Sequence, residues 1–325
     1  METTQSEQAK LVRKKDIKLK NLEEKLEGKL PITRNELIYL VNSHGRNRNF
    51  YLRDENRKEI IIKQCEPNYC YDLSKLDTSK ITDMSRIFQQ SLISNCDISN
   101  WNTSNVTNMD NLFYCAKYFN ENINNWDVSN VTSMYFMFGY ADNYNQPLNN
   151  WNTNNLIDIE GMFSLAKKFN QDISSWNTDN IINIGHLFAF AENFNQQIGN
   201  WNTTKVINME SVFSHATSFN QEINFDFSNV VYMDGFLENA KSFDQNIYKW
   251  NLDKVENLNS MFYGVDSFEK KYNNKYKIPL DTVSIKKWIN ENRDKINEIY
   301  LKSQHGEEIE NFFSNIKSKE TTFKR

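Results

Sequence analysis

Tryptophan recurs every 25 residues, at Trp101, Trp126, Trp151, Trp176 and Trp201. A fixed period of this length marks a chain built from stacked repeats. Carried backwards, the frame puts Leu76 in the same slot. Carried forwards, one residue is missing, Phe225 takes the slot, and Trp250 follows 25 later. Eight units result, spanning 73–270. Counted from the Trp slot, the other apolar columns keep step. Slot −3 holds Ile98, Ile123, Leu148, Ile173 and Ile198, and slot +5 holds Val106, Val131, Leu156, Ile181 and Val206. Slot +8 carries Met109, Met134 and Met209, slot +15 carries Ala116, Ala141 and Ala166, and slot +12 carries Phe113, Phe138, Phe163, Phe188, Phe213 and Phe262.

Six or seven apolar side chains per unit are too few to close a core. Stacking lets each column run into the next unit and form one long interior. The residues expected to build it are Trp101, Trp126, Trp151, Trp176, Trp201 and Trp250 with the six +12 phenylalanines. The spacings of 3 and 5 around the Trp slot suit extended pieces, whereas +8, +12 and +15 suit a helical turn. The polar columns are as regular. Slot +1 is Asp or Asn in every unit (Asp77, Asn102, Asp127), and Phe-Asn recurs at Phe119-Asn120, Phe169-Asn170 and Phe194-Asn195. Short Asx side chains close turns, and stacked in register they can form ladders between coils. The Asn columns are therefore read as structural.

Runs such as WNTSNVTNMDNLFYCAKYFNENINNW, from Trp101 to Trp126, begin Trp-Asx-Thr-Ser-x-Val-Thr-x-Met, and across the units Met-Phe-x-x-Ala (Leu-Phe in this run) and Phe-Asn-Gln (Phe-Asn-Glu in this run) blocks follow in order. The unit resembles the BspA-type leucine-rich repeat, including the mycoplasma-type 25-residue repeat domain of unknown function. The resemblance covers about 73–270. It implies a leucine-rich-repeat solenoid, adhesion or protein binding at a cell surface, and no catalytic residues. The expected fold is an α/β repeat solenoid: a right-handed coil with a parallel β-sheet, short helical turns and helical caps at both ends.

The flanks fit that plan. Residues 1–30, with Leu19, Leu22 and Leu26 among Lys and Glu, read as a charged helix or flexible tail, either frayed or weakly self-associating. Residues 31–72 read as an N-terminal cap. Thr33 and Glu36 have capping-box spacing, and 46–64 has the pattern of a short hairpin. In 271–325, Ile285, Trp288, Ile289 and Ile296, then Ile309, Phe312 and Phe313 after His305-Gly306, predict two amphipathic capping helices.

Charge is unevenly spread. Residues 1–72 hold 15 basic and 12 acidic groups, 73–269 hold 10 and 22, and 270–325 hold 13 and 8. The segments carry +3, −12 and +5. An acidic middle argues against nucleic acid, whose phosphates need Lys and Arg. No apolar run is long enough for a signal peptide or a membrane span, and no cysteine sits where a lipid could anchor the start. These features by themselves point to the cytoplasm, whereas the family resemblance points to the cell surface. Cys65, Cys70, Cys96 and Cys115 lack zinc-site spacing, and Cys65 and Cys70 stay open between free thiols and a bridge.

No P-loop, dinucleotide fingerprint, nucleophile elbow or HExxH motif occurs. His186 and His215 fall in different slots, +10 and +14, and no carboxylate pair is set by spacing. The chain is expected to be non-catalytic, without cofactor or metal, and to work as a protein-interaction solenoid in adhesion or cell-surface contact. The alternatives are an intracellular scaffold pairing through residues 1–30, and more weakly a calcium- or glycan-binding array. Specificity is expected at the variable slots +9, +10, +13 and +14, where Tyr114, Tyr135, Phe136, Tyr140 and Phe190 stand as candidate aromatic anchors.

Overall fold

A computed structural model describes residues 21, 24–43, 49–53, 59–64, 73–91, 96–272 and 278–322. Residues 1–20, Cys65 and Cys70 lie outside the described residues. Helix α1 (Arg34–Ser43) precedes the repeats, with strands β1 (Asn49–Arg53) and β2 (Glu59–Gln64) paired antiparallel after it. Helices α2 (Asp266–Tyr272) and α3 (Thr282–Thr322) follow the repeats. Instead of two helices broken at His305-Gly306, α3 runs through that pair without interruption.

The repeats do not form the expected α/β solenoid with a parallel sheet. Among the described residues, 73–265 contain neither strand nor helix. Neighbouring coils touch through single-residue parallel bridges at slot +7, from Asp83↔Asn108 to Tyr232↔Asn257. The backbone hydrogen bonds supply the reason. Each coil is a succession of three-residue turns; in the third unit the amides of Trp126, Val131, Met137, Gly139, Ala141 and Tyr144 donate to the carbonyls of Ile123, Val128, Met134, Phe136, Phe138 and Ala141. Amides at +8, +10, +12 and +14 leave the coil and donate to the next one. Met134, Phe136, Phe138 and Tyr140 reach the carbonyls of Asp158, Glu160, Met162 and Ser164 at 2.7–2.9 Å. A helix needs those amides for its own i−4 carbonyls, so the +8, +12, +15 spacing is met by turns instead.

Alternating direction in this way requires left-handed backbone. Slots +10 and +14 have φ of +48° to +68° in all eight units, thirteen times on residues other than glycine. Such residues carry a conformational cost of about 1–2 kcal/mol each, which the inter-coil bonds hold in place.

The apolar columns pack as continuous stripes. Trp101, Trp126, Trp151, Trp176, Trp201 and Trp250 are 3–4% exposed, and Phe113, Phe138, Phe163, Phe188, Phe213 and Phe262 are fully buried. Trp101–Trp126 and Trp176–Trp201 stack with ring centroids 6.2 and 6.3 Å apart. Each indole also donates to the preceding coil, as Trp176 Nε1 does to the Leu148 carbonyl at 3.0 Å. The Phe of Phe-Asn, at slot +18, stacks on the +12 ring of its own unit; Phe163–Phe169 and Phe188–Phe194 lie 3.8 and 3.7 Å apart. Pairs of this kind add about 0.5–1.5 kcal/mol beyond the area they bury.

The Asn after it forms a side-chain ladder. Asn145 Oδ1 accepts the Asn170 amide and Asn170 Oδ1 the Asn195 amide, both at 2.9 Å. Buried threonines at +2 tie successive coils, as Thr153 Oγ1 does to the Asn177 carbonyl at 3.0 Å. The Asx side chains at +1 accept from the amide two residues on, as Asp127 does from Ser129 at 2.9 Å.

The ends are closed by groups of opposite kind. The first coil turns unused carbonyls outward, and the Arg34 guanidinium of α1 donates to those of Asp83 and Ser85. The last coil turns amides outward. Leu258 N–H donates to Thr282 Oγ1 at 2.8 Å, and Ser260 N–H to the Leu280 carbonyl at 2.7 Å. Ile285, Ile289 and Ile296 of α3 then cover the exposed interior. Before α1, a helical segment ends at Gly28 (φ +72°), where the Gly28 and Lys29 amides meet the Lys25 and Glu24 carbonyls in a Schellman turn. A Cβ there would fall 2.4 Å from the Lys75 carbonyl.

Tyr144 is fully buried in the +18 column and its hydroxyl has no hydrogen-bond partner among the described residues. Tyr144→Phe should raise the unfolding free energy by about 1–3 kcal/mol in denaturant titration; a loss of stability would show that the hydroxyl is satisfied. Burial would raise the Glu36 carboxyl, but bonds from Lys25 Nζ (2.7 Å to both oxygens) and from the Thr33 amide and hydroxyl hold it below the usual range. The stability it contributes is therefore present above the ordinary glutamate value, about 4.3, and is lost as pH falls through the lowered folded value. The stability gap between the native chain and Glu36→Gln should shrink on acidification, and a gap independent of pH would contradict this.

Candidate interaction face

Within the turn segment of units two to eight, slots +8, +11, +12 and +15 are buried, slots +9, +10 and +14 are at least part-exposed wherever they carry a side chain, and slot +13 is buried in the third to sixth units but part-exposed at Tyr114. The outward side chains of neighbouring units touch. Tyr114 meets Phe136 edge-on at 6.1 Å and Tyr140 at 5.4 Å, and Tyr135 meets Phe136 at 4.8 Å. Four of the five anchor candidates thus form one cluster across the second and third units. Tyr135 and Tyr140 are 38% and 37% exposed, while Tyr114 and Phe136 are half-buried at its base. Phe190, 40% exposed, lies apart from them; it stacks on His215 of the next unit at 4.1 Å.

Glycine makes room for the cluster. Gly161, φ +59°, lies under Phe136; a Cβ there would come within 2.3–2.5 Å of three ring atoms. Six of the other seven units carry a side chain at that slot (Arg86, Asn111, Phe136, His186, Ser211 and Ser260), so the glycine belongs with the aromatic above it rather than with the backbone.

Carboxylates surround the rings, and column reading had not singled them out. Asp110 Oδ1 accepts the Tyr135 amide at 3.0 Å, and Asp158 and Glu160 stand beside it in the next unit. Burial first, then Glu160 and Asp110, pushes the Asp158 carboxyl above the usual range. The Tyr135 phenol is likewise pushed up by burial and by Glu160, Asp158 and Asp110. Farther along, Asp234 is raised by burial and by Glu210. The signal that could have found this face was the acidic character of slot +9, where Asp110, Glu160, Glu210 and Asp234 recur.

Each of the two repeat histidines has its own polar neighbours. His215 Nε2 lies 3.1 Å from Asn239 Nδ2 and its Nδ1 2.9 Å from Ser214 Oγ. His186 Nε2 lies 3.7 Å from Glu210. Among the described residues, no group of three His, Cys, Asp or Glu is placed to hold a metal, and no helix is long and apolar enough to cross a membrane. Where the seventh unit is one residue short, a cleft of about 410 Å³ opens between Phe225, Tyr248 and α3. Part of its polar lining is occupied internally, with Asn246 Nδ2 donating to Asn297 Oδ1 at 3.2 Å.

The pattern of the family described as Mycoplasma protein of unknown function, DUF285, matches residues 59–176 and again 157–276, two tandem stretches that overlap within the repeats. No curated protein and no solved structure matches the chain.

Gly161→Ala should cost more than Gly235→Ala, by about 1–3 kcal/mol. Both are left-handed, but a Cβ at Gly235 meets only side-chain atoms at 3.2 Å or more. Equal costs in denaturant titration would show that Phe136 is free to move.

Proposed function

We propose, for a chain that belongs to the DUF285 family of Mycoplasma proteins of unknown function, that it is a non-catalytic protein-interaction stack whose contact surface is the outward side of its turn segments. The observation that carries this reading is the gathering of Tyr114, Tyr135, Phe136 and Tyr140 into one solvent-facing cluster. An exposed aromatic group of this kind is not required by the repeat, since other units fill the same slots with Gly, Ser or Ala. Rigid aromatic side chains lose little entropy on binding and dominate protein interfaces. The likeness of the repeat to BspA-type surface proteins favours contact at a cell surface as the setting.

The test places a photo-crosslinking residue at Tyr135 in the full chain, produced in its own cell, with the same residue at Tyr118 for comparison. Tyr118 is 54% exposed and occupies slot +17, outside the turn face. A discrete protein adduct from position 135 and none from 118 is expected. Equal labelling from both positions, or none from 135, removes the reading.

A further inference from the structure

Across units two to eight, slots +7, +9, +10, +13 and +14 contain no lysine or arginine. They do contain six carboxylates: Asp110, Asp158, Glu160, Glu210, Asp234 and Glu238. The lysines of these units stand elsewhere, at +4 (Lys205, Lys254), at +16 and +17 (Lys117, Lys167, Lys168, Lys241) and just before the Trp slot (Lys249). Over units two to eight this side of the stack is therefore anionic and holds no lysine or arginine, although the first unit places Arg86 at slot +10 and His186 Nε2 lies 3.7 Å from Glu210. Its carboxylates are part-buried and stand close enough that burial and mutual repulsion raise those of Asp158 and Asp234. Three of the six, Asp110, Asp158 and Glu160, flank the aromatic cluster; the other three, Glu210, Asp234 and Glu238, lie in the sixth and seventh units.

We propose that this face docks a basic polypeptide segment, with lysine or arginine head groups lying against Tyr114, Tyr135 and Tyr140 and paired with Asp110, Asp158 and Glu160. The inference rests on the interaction reading above and names the partner's chemistry. Two physical effects converge on a cation. An ammonium or guanidinium over an aromatic ring gains about 0.5–2 kcal/mol as it is desolvated. A cation also relieves the repulsion among the neighbouring carboxylates. Guanidinium suits the site better than ammonium, because its flat fork can stack on Tyr135 while bridging both oxygens of a carboxylate. A neutral or acidic partner would leave the carboxylates desolvated and unpaired, which interfaces avoid. The contact between units further orients the site: Tyr114 and Asp110 come from the second unit, Tyr135 and Tyr140 from the third, and Asp158 and Glu160 from the fourth. An extended segment lying along the stack can therefore meet rings and carboxylates in succession.

The experiment titrates the full chain with a labelled peptide of alternating arginine and alanine, followed by fluorescence anisotropy. The Tyr135→Ser, Tyr140→Ser double variant and the Glu160→Gln variant should each weaken binding by roughly ten-fold. Tyr118→Ser and Glu192→Gln, on the +17 and +16 slots, should leave it unchanged. Unfolding curves that match the native chain show that the variants remain folded. The proposal is overturned if the control variants weaken binding as much as the face variants, since attraction would then come from the acidic middle as a whole. It is equally overturned if a glutamate–alanine peptide binds as well, or if nothing binds. Self-association without peptide that the tyrosine variants abolish would assign the face to a second copy of the chain and also overturn it. Absence of peptide binding alongside a crosslink at Tyr135 would defeat this proposal and leave the interaction reading standing.

Discussion

Amides at +8, +10, +12 and +14 donate along the stack to the next coil, and every other feature of the repeats answers to that arrangement. Alternate amides leave the coil while those between them close three-residue turns through left-handed +10 and +14, so neither a helix nor a strand occurs among the described residues from Met84 to Ala240, and the chain advances by overlapping turns. Because the turns must reverse direction, +10 and +14 are left-handed in every unit, even on Phe136, Leu165 and Phe190, side chains that seldom adopt such backbone. The strain is tolerable only while neighbouring coils hold the bonds, so stability in this molecule is a property of pairs of units. Ring stacking, the indole bonds to the −3 carbonyls and the Asn170–Asn195 type of ladder all act across the same junction.

A ladder with direction has two unlike ends. Carbonyls dangle from the first coil and amides from the last, so the two caps cannot be interchangeable. Arg34, which can only donate, sits at the carbonyl end; Thr282 Oγ1 and the Leu280 carbonyl, which accept, sit at the amide end. The apolar part of capping follows the same division, with α3 laying Ile285, Ile289 and Ile296 over the last unit.

The same geometry separates structure from function. Buried and part-exposed slots alternate along the turn segment, and the buried ones are constrained by the columns. The part-exposed ones are free to vary, and it is there that Tyr135, Tyr140 and the carboxylates of slot +9 collect. Gly161 links the two demands: its left-handed φ belongs to the coil, and its missing Cβ belongs to the aromatic above it.

The number of units, the residues in each column and the capping-box pair Thr33–Glu36 were all present in the sequence, because periodicity and cap chemistry are local or strictly repeating signals. The sequence also indicated which slots could vary, and so named Tyr114, Tyr135, Phe136 and Tyr140. It did not determine the backbone. Apolar spacings of +8, +12 and +15 fit a helical turn as well as a run of three-residue turns, and only the choice of partner for each amide, its own coil or the next, separates them. Nor could it bring Asp110, Asp158 and Glu160 to Tyr135, since they are distant in the chain and become neighbours only when the coils stack. Column contents were legible because each is set one residue at a time; hydrogen-bond partners and the face they create depend on two coils at once, and that was decided in three dimensions.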